Sequence, residues 1–314
     1  MKAISRSKVG KSGKPSKKKR LNISSSNIAG YVFISPWLIG FFLFSIIPIA
    51  TSFFLAFTDY NILSSPQWVG FENFKEMFTT DPRYMKSVKA TLLFVFASVP
   101  LRLCFALLIA MLLNLKIKFL GTFRATYYLP SLMGGSVAIA VMWRQMFGSE
   151  GVLNSILANY FDIASSISWI THPSTALWSL IILNVWQFGA AMIIFLAGLK
   201  QIPRELYESA MVDGANAFHK FKSITIPMLT PVILFNLVMG VIGGFKVFTE
   251  GFIVTQGGPS DTTLFYVLYL YEKSFRYFQM GYGAAMAWIL LMVIALFTAI
   301  IFKSSKKWVH YESK

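Results

Sequence analysis

Residues 203–227 read PRELYESAMVDGANAFHKFKSITIP, and this polar stretch lies between two long apolar segments. Pro203 suits the first turn of a helix, because the N–H that proline lacks would have no intrahelical partner there. Asp213-Gly214 is a turn signal, since glycine adopts positive φ without steric cost. Asn216 is suited to cap a second short helix. The stretch therefore predicts a helix–turn–helix hairpin that is too polar for lipid and lies at a membrane surface.

The composition around this hairpin indicates an integral membrane protein. Of the 314 residues, 55% are hydrophobic, and the mean hydropathy is +0.59. Several apolar runs reach the ~20 residues that are needed to cross ~30 Å of hydrocarbon. The predicted fold class is an all-α polytopic membrane protein with six transmembrane helices, which we place approximately at 29–57, 88–113, 125–147, 175–199, 228–254 and 281–302.

The positive charges predict the orientation of these helices. The net charge is +16, yet the lysines and arginines cluster in alternate loops, which argues against nucleic acid as a partner. Twenty of the 29 lie in the two tails and in the loops predicted on the same side as the tails, and six lie in the opposite loops. Lys and Arg are enriched in cytoplasmic loops. We therefore predict cytoplasmic termini, with a basic tail at 1–26, a six-span domain at 27–303 and a second tail at 304–314.

Ionisable residues within the predicted spans need a reason, because a bare charge in hydrocarbon costs at least a few kcal/mol. Arg102 lies in the second span, and Lys246 and Glu250 lie four residues apart in the fifth, which would put them on one helical face. A polar lining of a substrate path is one interpretation. A structural ion pair or a contact between helices is the other, and the residues alone leave both open.

The polar hairpin also resembles a known motif, the EAA loop of binding-protein-dependent ABC import permeases. The matching residues are Glu208, Ala210, Asp213, Gly214, Ala215, Phe221, Ile224 and Pro227. In that family the loop forms a coupling helix that sits in a cleft of a cytoplasmic ATPase. The resemblance implies that these residues, Ile224 excepted, couple the chain to an ATPase. The departure is Ser209, where alanine is usual, and both side chains are small enough for close packing.

The wider resemblance covers residues 28–303. FRATYYLP at 123–130 and TQGGPSDTTL at 255–264 resemble stretches of the carbohydrate-uptake branch, and the chain is most similar to the first permease subunit of maltose and glycerol-phosphate systems. This implies the type I ABC importer permease fold in a bacterial or archaeal plasma membrane. It also implies a second permease subunit, a cytoplasmic ATPase dimer and an extracytoplasmic solute-binding protein as partners. The chain would be no enzyme and bind no cofactor, because ATP and Mg²⁺ would bind to the ATPase subunits.

Sugars are bound by amides, carboxylates and aromatic faces. Gln187, Asn236 and Phe248 are therefore candidates for the substrate path, together with Arg102, Lys246 and Glu250. Fifth-span side chains contact sugar in the maltose permease that this chain resembles, which favours Asn236 most. Gly240 and Gly244 predict either close helix contact or a cavity lined by backbone.

The expected substrate is a sugar or oligosaccharide. Arg102 and Lys246 would suit an acidic sugar or a phosphate ester of the glycerol-phosphate type. An ion-coupled secondary carrier is the alternative, since Glu250 is an acidic residue within a span, and carriers place such groups near the membrane midplane. A membrane scaffold without transport is a third interpretation, but it would leave the spacing of the EAA-like residues unexplained.

Overall fold

The computed structural model describes residues 25–115, 118–133, 135–161 and 167–310. The predicted basic tail lies outside the described residues except for its last two positions, and the end of the second predicted tail, 311–314, also lies outside them. Contacts divide the chain into two compact units, Met1–Thr51 and Ser52–Lys314.

The described part of the first unit, residues 25–51, is an apolar helix with one irregular turn. Helix α1 (Ser25–Phe41) leads through a π-helical turn (Phe42–Ile46) into α2 (Ile47–Leu55), whose last residues belong to the second unit. Pro48 follows the π-helical turn by two residues. Proline has no N–H for the carbonyl four positions earlier, and its ring crowds that carbonyl. A local widening of the helix accommodates this defect.

The second unit is almost entirely helical. Two short antiparallel strands, β1 (Thr58–Asp59) and β2 (Gln67–Trp68), pair Thr58 with Trp68 and Asp59 with Gln67. The helices that follow are α3 (Glu72–Thr79), α4 (Pro82–Leu113), α5 (Leu120–Met133), α6 (Val137–Met146), α7 (Val152–Phe161), α8 (Ala176–Trp186), α9 (Gly189–Gln201), α10 (Arg204–Val212), α11 (Ala217–Lys220), α12 (Ile226–Phe245), α13 (Tyr266–Tyr271) and α14 (Met280–Ser305). Three further π-helical turns are Phe221–Thr225, Gly251–Thr255 and Glu272–Arg276.

The membrane-length helices agree with the predicted number of spans. Within the described part of the chain, four are long and apolar enough to cross a bilayer: Gly30–Leu55, Pro82–Leu113, Ala217–Phe245 and Met280–Ser305. Two bent pairs are also apolar enough, α5 with α6 (bent by 99°) and α8 with α9 (bent by 43°). Counting each bent pair as one span gives six.

The fifth span differs from its prediction at both ends. It begins at Ala217 rather than at 228, because the helix continues through the π-helical turn Phe221–Thr225 past Pro227. It ends at Phe245 rather than at 254, directly after Gly243 and Gly244, since glycine in a helix interior is unfavourable. The prediction that Lys246 and Glu250 share one helical face is therefore wrong, because Lys246 lies just after the end of α12.

Helix α3 buries a polar residue rather than the phenylalanines near its ends. Its buried residues are Asn73 and Met77, whereas Phe71 and Phe78 are exposed. The Asn73 amide Nδ2 donates to the carbonyls of Ala56 and Thr58, both at 3.0 Å. A polar residue therefore holds this helix against the chain that precedes it.

Helix α4 packs against α8, α9 and α12 in the middle of the second unit. The close approaches depend on glycines. A Cβ atom on Gly198 of α9 would lie 2.8 Å from Val232 Cγ2 of α12, and one on Gly240 of α12 would lie 2.9 Å from Val99 Cγ1 of α4. Small residues let helix backbones approach closely in membrane proteins. A cavity forms where these helices meet.

Candidate functional site

A cavity of about 400 Å³ lies between α4, α9 and α12. Four of the six residues predicted for a substrate path are on its wall: Arg102, Gln187, Asn236 and Glu250. They come from separate elements, and packing alone brings them together. Asn184 of α8 adds a third amide that the sequence reasoning did not single out, because one asparagine in an apolar helix carries no distinctive pattern.

Arg102 and Gln187 are joined at the bend between α8 and α9. The break leaves backbone carbonyls without intrahelical partners. The Arg102 guanidinium Nη2 donates to the Gln187 carbonyl at 2.9 Å, which explains how a cation is held inside an apolar helix. Glu250, on the same wall, attracts Arg102 electrostatically. The Arg102 Nε atom is buried and has no hydrogen-bond partner within the described part of the chain.

Asn236 and two glycines form the α12 side of the cavity. The Asn236 amide Nδ2 donates to the Val232 carbonyl at 3.1 Å, which orients the side chain along its own helix. Gly240 and Gly244 line the cavity and also pack against α4, where a Cβ on Gly244 would lie 3.1 Å from Val95 Cγ2. The two interpretations of this glycine pair, close helix contact and a backbone-lined cavity, therefore both hold.

Lys246 and Phe248 lie off this wall. Lys246 is exposed just after the end of α12, and none of the ion pairs within 4.0 Å joins it to Glu250 in the described ranges. Phe248 stacks on Phe252 with ring centroids 5.1 Å apart and meets Tyr271 edge-on at 5.3 Å. Phe248 thus contributes to packing beside the cavity rather than to its lining.

The hairpin forms as its residues predict. Gly214 has φ of +79°, and the Ala215 N–H donates to the Ala210 carbonyl at 2.8 Å, which reverses the chain after α10. The Asn216 Oδ1 accepts from the His219 N–H at 2.8 Å and caps α11. The second arm differs from the expectation in one respect. Helix α11 does not end as a separate short helix but continues through the π-helical turn Phe221–Thr225 into α12.

The hairpin presents an apolar surface with acidic neighbours. Glu208, Asp213 and Gly214 are exposed, while the remaining predicted coupling residues are exposed in part: Ala210, Ala215, Phe221 and Pro227. Four large apolar side chains are also exposed: Leu206, Met211, Val212 and Phe218. Contiguous exposed apolar side chains rimmed by polar ones mark interaction surfaces. The surface suits docking on another protein.

A second polar cluster, which sequence reasoning missed, surrounds Asp81 at the start of α4. Asp81 Oδ1 accepts from the Arg83 and Tyr84 N–H groups at 3.0 and 3.2 Å, so Asp81 caps the helix. Its Oδ2 accepts from the hydroxyls of Tyr269 and Tyr282 and lies 3.3 Å from Lys273 Nζ. Burial raises the pKa of the Asp81 carboxyl, but the two tyrosines and Lys273 outweigh it and lower the pKa. The sequence Asp81-Pro82 could have indicated this cap, because Asp is favoured at the N-cap and Pro at the first helical position.

Asp261 ties the TQGGPSDTTL loop to the same end of α4. Its carboxylate lies 3.0 Å from Arg83 Nη2 and 3.3 Å from Lys86 Nζ, and Arg83 also pairs with Glu272 at 3.2 Å. Burial raises the pKa of Asp261, but Arg83 and Lys86 outweigh it and lower the pKa. The loop backbone at Asp261 has φ of +64°, which these contacts hold in place.

The comparison with protein families finds one that matches most of the chain. The family described as binding-protein-dependent transport system inner membrane component matches residues 28–310. Among individual proteins, the probable ABC transporter permease protein YesP of Bacillus subtilis (strain 168) is 52% identical over 304 residues, covering 96% of this chain and 98% of YesP.

Other relatives carry names that state a sugar. The arabinooligosaccharides transport system permease protein AraP of the same Bacillus strain is 33% identical, covering 90% of each chain. The lactose transport system permease protein LacF of Rhizobium radiobacter is 31% identical, covering 90% of this chain and 95% of LacF. A crystal structure of a bacterial alginate ABC transporter, in complex with a periplasmic protein that holds an alginate pentasaccharide, is similar in fold. Its TM-score is 0.77 at 23% identity, covering 90% of this chain and 95% of that chain.

Proposed function

This chain belongs to the family of binding-protein-dependent transport system inner membrane components, and we propose that it translocates a sugar or oligosaccharide as a permease subunit of an ATP-driven importer. As a family member with several membrane-length helices, it is a multi-pass membrane protein. The relatives named for arabinooligosaccharides and lactose support a carbohydrate substrate.

The cavity between α4, α9 and α12 is the observation that carries this proposal. Its volume of about 400 Å³ is in the range of small-molecule sites. Three amides, from Asn184, Gln187 and Asn236, and the charged Arg102 and Glu250 converge on an otherwise apolar wall. Sugar hydroxyl groups both donate and accept hydrogen bonds, so a wall with both kinds of partner fits them.

Fewer residues support an acidic sugar than the sequence indicated. An acidic sugar, or a substrate of the glycerol-phosphate type, would bind Arg102, but Lys246 is not on the wall and lends no support. Glu250 is on the wall and would repel an anion. The proposal of an acidic substrate therefore rests on Arg102 alone, and transport measurements with matched neutral and anionic sugars decide it.

We place the hairpin on the cytoplasmic side, where its exposed apolar surface docks into a cytoplasmic ATPase subunit. The excess of Lys and Arg on that side supports this orientation. A second permease subunit completes the pathway, and an extracytoplasmic binding protein delivers the sugar. Closure of the ATPase dimer on ATP then draws the two hairpins together and opens the cavity outward, as a rigid-body movement of two halves.

The test is uptake by proteoliposomes that contain this chain, its partner permease, the ATPase subunits and the binding protein. We expect ATP-dependent uptake of at least one of lactose, arabinotriose and digalacturonate. Asn236→Ala should raise the half-saturation concentration about fivefold, because it removes a hydrogen-bonding amide from the wall. Asn114→Ala, the same change at the exposed end of α4, should leave it unchanged.

Two results would overturn the proposal. Uptake that persists without ATPase subunits and follows an imposed ion gradient would establish an ion-coupled carrier, with Glu250 as the group that binds the ion. Equal effects of Asn236→Ala and Asn114→Ala would exclude the cavity as the substrate site.

A further inference from the structure

The hairpin is attached to the membrane helices through one side chain of α10 in particular. Along this helix Tyr207 and Ala210 are half-buried, and the other residues are exposed. The Tyr207 ring packs against the apolar core formed by α4, α9 and the start of α12, which includes Leu199, Ile202 and Leu229. The rest of α10 faces outward and is available for a partner.

The Tyr207 hydroxyl also makes a polar link to the second arm of the hairpin. It lies 2.9 Å from Thr225 Oγ1, and Thr225 is buried. Either hydroxyl can be the donor in this bond, and the Thr225 Oγ1 atom also lies 3.4 Å from the Lys220 carbonyl oxygen. The chain of contacts therefore runs from α10 into the π-helical turn Phe221–Thr225.

That π-helical turn is where the hairpin becomes a membrane helix. The helix from Ala217 to Phe245 is continuous, and Asn236 on the cavity wall lies 11 residues beyond Thr225, or about 17 Å along the axis. Helix α9, at the other end of the hairpin, packs tightly on α12 through Gly198 and Val232 and also lines the cavity. Each arm of the hairpin is thus connected to a helix, α9 or α12, that lines the cavity.

We infer that Tyr207 is a positioning residue whose hydrogen bond to Thr225 transmits movement of the hairpin to the cavity wall. This inference rests on the proposed function, since it assumes an ATPase docked on the hairpin. At the tip of the hairpin the two arms are joined through the turn itself, in which the Ala215 N–H donates to the Ala210 carbonyl. The bond at its base makes α10 and α12 move as one body, whereas packing of the ring alone would let the arms slide.

The test measures how accessible the cavity is from the outside in the absence of sugar. The sole cysteine, the exposed Cys104, is replaced by serine, and Met239→Cys places a reporter on the cavity wall. The probe is the rate at which a membrane-impermeant maleimide, added from the outside, labels this cysteine in the reconstituted complex. Mg-ATP with vanadate should raise that rate. Tyr207→Phe should reduce this increase about fivefold, because a fivefold change corresponds to the net free energy of one hydrogen bond.

Matched variants separate transmission from mere stability. Thr225→Val should reduce the rise to the same extent, Thr225→Ser should restore it, and Tyr207→Phe with Thr225→Val should do no more than either change alone, because one bond is shared. Ser304→Ala removes an exposed hydroxyl near the end of α14 that donates to the Ile301 carbonyl and accepts from the Trp308 indole N–H, and it should have no effect. Co-purification of the ATPase subunits and basal ATP hydrolysis should be unchanged in every variant.

The outcomes separate this inference from the function on which it rests. If the parent chain shows no nucleotide-dependent labelling and retains no ATPase, the proposed function fails. If the parent chain responds and Tyr207→Phe responds equally, the inference alone fails. Additive losses in the double variant, or loss of ATPase co-purification in Tyr207→Phe, would likewise overturn it, since Tyr207 would then act through stability.

Discussion

Asp81 illustrates how one side chain connects segments that are far apart in the chain. Its carboxylate caps α4 and accepts hydrogen bonds from Tyr269 of α13 and Tyr282 of α14, which are 188 and 201 residues away. Lys273 adds a charge from the π-helical turn after α13. A buried carboxylate is stable only when its lone pairs are satisfied in this way. Asp81 therefore holds three helices in register at this end of the bundle.

The lowered pKa of Asp81 has a consequence for stability at acid pH. A carboxyl group whose pKa is lower in the folded than in the unfolded state stabilises the fold above its ordinary pKa, near 3.8 for Asp81. That stabilisation is lost as the pH falls through the folded-state pKa. We expect the thermal unfolding temperature of the detergent-purified protein to drop below about pH 4.

Asp81→Asn should lower the free energy of unfolding at neutral pH by roughly 2 kcal/mol, the worth of a hydrogen bond to a charged group. It should also flatten the acid dependence, though Asp261, whose pKa is lowered as well, preserves part of it. Asp59→Asn, at an exposed carboxylate, is the control and should change neither. Identical acid profiles for Asp81→Asn and the parent protein would contradict the assignment.

At the scale of elements, the hairpin turn depends on the backbone conformation of Gly214 and not on the room around that residue. Gly214 has φ of +79°, and a Cβ atom there would meet nothing within 4 Å. We expect Gly214→Val to abolish sugar-stimulated ATP hydrolysis by the assembled transporter while membrane insertion persists, because a β-branched residue strongly disfavours positive φ. Gly214→Asn should retain most of that hydrolysis, since asparagine tolerates this conformation. Equal hydrolysis by the two variants would argue against a role for the turn geometry.

The contact between α4 and α12 depends instead on the absence of a side chain at Gly240. Gly240→Ala should destabilise the protein by about 1–3 kcal/mol, because the new Cβ would lie 2.9 Å from Val99 Cγ1. Gly243→Ala, whose Cβ would have nothing within 4 Å, should be neutral or slightly stabilising. Thermal unfolding in detergent measures both. Adding Val99→Ala should recover part of the loss in Gly240→Ala, and a failure to recover any of it would indicate another cause.

At the scale of the whole molecule, the orientation in the membrane is the prediction that the others need. In a Cys104→Ser background, Glu205→Cys on the hairpin should react with an impermeant maleimide only after the membrane is permeabilised. Lys89→Cys, near the opposite end of the bundle, should react in intact cells; both native residues are exposed. Positively charged loops are retained in the cytoplasm. Labelling of residue 205 from outside would exclude docking on a cytoplasmic ATPase.

The residues by themselves determined the helical class, the number of spans, the hairpin with its Gly214 turn and its Asn216 cap, and the family. Hydropathy, turn chemistry and capping act over a few neighbouring residues, so a linear pattern carries them. The tertiary structure alone decided which polar residues share the cavity. Arg102 meets Gln187 across 85 residues, and Lys246 is left outside because α12 ends at Phe245. Long-range pairs of side chains are decided by packing between helices, and no local pattern encodes that packing.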